Sequence, residues 1–151
     1  SLFCYSILIV SLQEGYFMKT FKEEYETQIE PYLKQIDIFL KTKKPPYSIS
    51  KTAELLHITS WEVKQIMAKE NIKTIDQKTF FTIMKNGSST LCHIFARELY
   101  CGIPQYYTAE NISYIYNLDI SSVLKASKEM GINKFSSGII KTLFHFIPVQ
   151  K

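Results

Sequence analysis

At 151 residues the chain suits one compact domain, or two very small helical ones sharing a core. A hydrophobic fraction of 46% with 21% charged residues argues against a disordered, collagen-like or disulfide-scaffold protein. The net charge of +4 permits a nucleic-acid partner without requiring one, because 14 acidic residues are interspersed with 18 basic ones and no basic block forms a tail.

Residues 1–17, SLFCYSILIVSLQEGYF, differ from everything after them. The apolar run from Leu2 to Leu12 is too short to span a membrane. It also lacks the positive start and small-residue cleavage site of a signal peptide. One reading is a buried strand or helix tucked onto the domain. The other is a translated leader with Met18 as the native start. Gln13-Glu14-Gly15 can be encoded CAG-GAG-GGN, which places AGGAGG a few nucleotides before the Met18 codon, where a bacterial ribosome-binding site belongs.

From residue 18 to 44 the pattern is helical. Phe21, Tyr25 and Ile29 step by four, and Tyr32, Leu33, Ile36, Phe39 and Leu40 continue the apolar face. Pro31 is expected to kink the run or to begin a second helix. The face packs on the rest of the domain or, alternatively, forms a short dimer seam. Lys41, Lys43 and Lys44 precede Pro45-Pro46, either as a solvated helix end or as phosphate contacts.

Residues 48–72, SISKTAELLHITSWEVKQIMAKENI, read as two short helices, 50–56 and 60–69, joined by the turn His57-Ile58-Thr59. Thr59 and Glu62 fit the S/T-x-x-E capping box, and Glu62 is assigned to that cap because a free carboxylate would repel phosphate. Ala53, Leu56, Ile58, Val63 and Ile66 are expected to face inward. This stretch resembles the helix-turn-helix of DNA-binding proteins, closest to the excisionase and MerR-like sort. It departs from that family at His57, where glycine is usual. The resemblance implies that the second helix reads DNA, with Thr59, Ser60, Trp61, Lys64, Gln65 and Lys69 on its exposed side and Lys51 on flanking phosphate. Trp61 has two readings: apolar contact with a thymine methyl or sugar, or packing over Pro45-Pro46-Tyr47.

Farther along, Asp76 is expected to cap a helix carrying Phe80, Phe81, Ile83 and Met84, with Asn86-Gly87 as its stop. A connecting helix over 88–101 should turn Leu91, Ile94, Phe95 and Leu99 inward and end at Gly102. Beyond Pro104 the first motif recurs at an offset of sixty residues. Val63 falls on Val123, Tyr47 on Tyr107, Ile72 on Ile132 and Thr82 on Thr142. The proposed caps also coincide: Ser48 with Thr108, Thr59 with Asp119, Asp76 with Ser136.

The expected architecture is therefore an all-α multi-helix bundle with two tandem helix-turn-helix-like three-helix units. The divisions are 1–17, 18–44, 45–87 (first unit), 88–105 (connecting helix) and 106–151 (degenerate second unit). In the second copy the outward positions become Asp119, Ile120, Ser121, Leu124 and Lys125, and the exposed Ile120 and Leu124 suit a protein interface better than a groove. Tyr106-Tyr107 and Tyr114-Tyr116 are dense enough to join one.

Catalytic motifs are missing: no Gly-rich phosphate loop, nucleophile elbow or H-E-x-x-H. Cys4, Cys92 and Cys101 have no metal spacing and read as reduced, mostly buried thiols. Cys92 and His93 are helix neighbours and point in different directions. The expectation is a cytoplasmic, non-enzymatic protein without metal, cofactor, membrane partner or evident small-molecule ligand. It would bind double-stranded DNA as a homodimer, as a bacterial transcriptional regulator or mobile-element accessory factor. The bacterial origin rests on the ribosome-binding-site argument and on a Lys-, Ile-, Tyr- and Asn-rich composition. The alternative is a helical protein-interaction module that kept the architecture without the DNA contacts.

Overall fold

Side-chain caps decide where most of the helices begin. Thr20, Ser48, Thr59, Asp76, Ser89, Thr108 and Asp119 each stand just before a helix and accept a hydrogen bond from the backbone N–H three residues on. The computed structural model describes residues 19–149. The apolar segment 1–17 and the proposed start at Met18 lie outside the described residues. The elements run α1 Phe21–Gln28, α2 Glu30–Thr42, α3 Ile49–Leu56, α4 Ser60–Lys69, α5 Gln77–Asn86, α6 Thr90–Tyr100, α7 Ala109–Tyr116, α8 Ile120–Met130 and α9 Ile140–His145. Among the described residues there are isolated antiparallel bridges but no named strand. The described residues are all-α, as the periodicity predicts.

Pro31 sits in the first turn of α2, where its missing N–H costs nothing, so the long N-terminal pattern divides into two helices at Ile29. Gly87 ends α5 for a different reason than backbone freedom. A Cβ there would lie 2.4 Å from the Cys92 sulfur, so only glycine lets the α5–α6 turn pass that close.

The sixty-residue offset holds bond by bond. Tyr47 pairs with Ile75 in a bridge, and Tyr107 with Phe135 in another. Ile58 N–H donates to the Ala53 carbonyl at 3.1 Å, and Leu118 N–H to Ser113 at 3.0 Å. His57 and Asn117 are both left-handed, with φ of 58° and 53°. So are Asn71 and Gly131, at 56° and 68°. Val63 and Val123 are both completely buried.

Two expectations fail locally. Ser136 does not cap the last helix as Asp76 caps α5. Asp76 works with Thr79, whose hydroxyl in return accepts from the Asp76 N–H, whereas the last helix begins after Ile139, which is already helical and offers no side-chain cap. The Ser136 carbonyl accepts from the Ile139 and Ile140 N–H groups, so residues 137–139 form a turn and α9 starts late. Leu99 is 36% exposed rather than inward. The position one further heptad from Leu91 is Glu98, which takes the inner slot by accepting a hydrogen bond from the Tyr107 hydroxyl.

The two units are joined twice. α5 packs on α6, and α6 packs on α7. On the other side α9 packs on α1, α1 on α2, and α2 on α3. Lys19–Thr20 and Pro148–Val149 close this second junction, with Phe21 N–H donating to Ile147 at 2.7 Å and Val149 N–H to Lys19 at 2.8 Å. The core runs continuously through both units, and its largest wholly buried side chains include Phe80, Phe135 and Phe144.

Candidate nucleic-acid interface

α3 ends because His57 enters the left-handed region, which lets the chain turn sharply into α4. A non-glycine residue is strained there. The His57 ring offsets part of that cost by packing edge-on against Tyr32, with centroids 4.4 Å apart. Ala53, Leu56, Val63 and Ile66 are buried as the motif requires, and Ile58 is partly buried against the same core.

The capping box at the start of α4 is only half formed. Thr59 Oγ1 accepts from the Glu62 N–H at 3.1 Å, as expected. The Glu62 carboxylate does not return to the Thr59 backbone. It accepts instead from the Ser88 hydroxyl at 2.6 Å and from the Ser88 N–H at 3.4 Å. The loop before α6 offers two aligned donors, a better site than one backbone N–H in a solvated turn. α4 is thereby tied to the α5–α6 turn.

Thr59, Ser60, Lys64, Gln65 and Lys69 are all exposed, and Trp61 is 70% exposed. Trp61 does not cover the Pro45-Pro46-Tyr47 segment. Tyr47 is buried there by Phe39, at 4.9 Å between centroids, and by Phe80 at 6.3 Å. Lys51 is partly engaged within its own surroundings. Its ammonium lies 3.6 Å from Glu54 and 6.0 Å above the Phe39 ring. Lys41 pairs with Asp37 at 2.8 Å, whereas Lys43 and Lys44 stand exposed beyond the end of α2.

Charge separates the two units. Residues 41–87 carry nine lysines against four carboxylates, a net +5; residues 101–147 carry four against three, a net +1. Asp119 replaces Thr59, and hydrogen bonds from Ser121 and then Ser122 hold its carboxyl below the usual range. On α8, Ser121 and Lys125 are exposed, and Ile120 and Leu124 are 39% and 47% exposed.

The tyrosine pairs divide between surface and interior. Tyr107 is buried and Tyr116 partly so, and burial first of all pushes both phenols far above their ordinary range. Tyr106 and Tyr114 face out, and Tyr114 meets the ring of Tyr100, which is 82% exposed. Tyr100 escapes a periodicity argument because it sits at the last position of α6, where the helix leaves the core.

Cys92 is an enclosed thiol whose Sγ lies 3.8 Å from the Leu56 carbonyl, and burial pushes its pKa up. Among the described residues no cluster of His, Cys, Asp and Glu is arranged to hold a metal ion. None of the described helices is long and apolar enough to cross a membrane. Comparison with known protein families, with proteins of established role and with solved structures finds no match to this chain.

Proposed function

We propose that this chain is a sequence-specific double-stranded-DNA-binding protein, a bacterial transcriptional regulator or mobile-element accessory factor that acts as a dimer. The observation that carries the reading is the division of α4 into two faces. Val63 and Ile66 spend one side wholly on the core, while Ser60, Trp61, Lys64, Gln65 and Lys69 are left uncovered on the other. A helix of ten residues is about 15 Å long and fits a major groove about 12 Å wide. Gln65 and Lys64 supply amide and ammonium donors to base edges, Trp61 an apolar contact, and Thr59 and Ser60 hydroxyls to phosphate. Lys43, Lys44 and Lys51 supply contacts to flanking phosphates. The local excess of lysine over carboxylate around α4 favours the same partner.

Mobility shifts on genomic DNA fragments test this. The wild-type chain should give a shift that weakens steeply with salt, and Lys64→Ala with Gln65→Ala should weaken it at least about tenfold. A shift indifferent to both substitutions, or none at any salt, overturns the reading.

The exposed Ile120 and Leu124 on α8 favour a second role for the other unit, as the dimer interface. Size-exclusion chromatography of Leu124→Asp should then show a monomer where the wild type elutes as a dimer; an unaltered dimer removes α8 from the interface. If DNA binding fails while the dimer holds, the chain is a helical protein-interaction module.

A further inference from the structure

A cavity of about 250 Å³ opens where α1, α6 and the turn after α7 meet, away from the outward face of α4. Helical spacing builds its walls. Phe21 and Glu24 face it from α1, three residues apart, while Thr90, His93, Ile94 and Arg97 face it from one side of α6. Beside polar groups that make up the larger part of its lining, the buried Phe21, Ile29, Ile94 and Leu118 contribute an apolar part. In the corresponding turn of the first unit His57 packs on Tyr32; sixty residues on, the shorter Asn117 lines the cavity.

Two opposite charges share this space without meeting. Arg97 is held in place by one bond from Nη1 to the Ile115 carbonyl, at 3.3 Å, and forms no ion pair among the described residues. The Glu24 carboxylate likewise has no ion-pair or side-chain hydrogen-bond partner among them. A ligand carrying only one charge would satisfy one wall and oppose the other. A zwitterion satisfies both. We infer that this cavity is a binding site for an apolar α-amino acid, with Arg97 taking the carboxylate, Glu24 the ammonium and the apolar part of the lining, Phe21, Ile29, Ile94 and Leu118, the side chain. Arg97 presents the planar fork that matches a carboxylate and is already anchored, so little freedom is lost on binding. The volume admits a side chain of leucine or phenylalanine size and little more.

The site stands independently of DNA binding, and its test uses none. Isothermal titration of the whole chain with L-leucine, L-isoleucine, L-methionine and L-phenylalanine should give saturable binding of at least one of them at millimolar concentration or below. For the one that binds, the analogue lacking the amino group and the analogue lacking the carboxylate should each bind at least about tenfold more weakly. Glu24→Gln, which removes no hydrogen bond of the fold, should cost a similar factor while the circular dichroism spectrum stays unchanged. Arg97→Gln should abolish binding, with its fold checked the same way. No saturable binding by any of the four amino acids overturns the inference. So does equal binding of either analogue, or full affinity in a folded Glu24→Gln protein.

Discussion

Thr52 is wholly buried in α3, and its hydroxyl finds no hydrogen-bond partner among the described residues. Stranding a hydroxyl costs free energy because water is lost and nothing replaces it. Sixty residues on, the same place holds Ile112, equally buried and apolar. Thr52→Val keeps the branched shape and should raise stability by about 1 kcal/mol, seen as a higher urea midpoint at constant slope. Asp76 shows the opposite economy. It is fully exposed, yet the Thr79 N–H, and after it the Thr79 hydroxyl, hold its carboxyl below the ordinary 3.8. A depressed folded pKa means that this contribution is complete above 3.8 and is lost as the pH falls through the lower folded value. Asp76→Asn can still cap but cannot titrate, so the variant's stability should fall less steeply on acidification below 3.8. Thermal melts across that range measure the difference.

At the scale of elements, the turn between α3 and α4 combines a strained backbone with a side-chain contact that offsets it. His57→Ala loses the Tyr32 contact and keeps the left-handed φ of 58°. His57→Gly loses the same contact but relieves the strain. The glycine variant should therefore be more stable than the alanine variant by about 1 kcal/mol, read by denaturant titration of both. The motif was legible from 48–72 because helix pairs of this kind are made locally: caps, a turn and an apolar face within twenty-five residues. Glu62 was not legible, because its partner Ser88 lies twenty-six residues away and a local cap fitted the same letters. The start of α9 was not legible either. Ser136 matches a capping letter, but its carbonyl closes a turn with the Ile139 N–H and the helix begins after it.

At the scale of the molecule, α1 is the element that closes the second junction. Phe21 is buried there, edge-on to Phe144 at 4.7 Å and to Tyr116 at 6.0 Å between ring centroids. Glu30 and Lys141 add an ion pair at 2.9 Å between α2 and α9, and the hydrogen bond from Lys141 draws the Glu30 carboxyl below its ordinary value. Phe21→Ala should cost about 3–5 kcal/mol, the range for deleting a buried aromatic ring. Hydrogen exchange should show α9 losing protection with α1, because the two helices cover each other. Unchanged protection in α9 would mean that the second unit holds together without the N-terminal helices.

Much of this was decided by the sequence alone. The helical class, the places where most helices start, the buried face of most helices and the sixty-residue repeat all follow from caps and apolar spacing, which act within a few turns of chain. The tertiary structure decided what spacing cannot express. It put Glu62 against Ser88, turned Trp61 to solvent, gave the inner slot of α6 to Glu98 and brought Glu24 and Arg97 to the walls of one cavity. Those outcomes depend on which distant residue arrives with a donor, a ring or an empty space, and only the packing of α1 and α6 against the two units settles that.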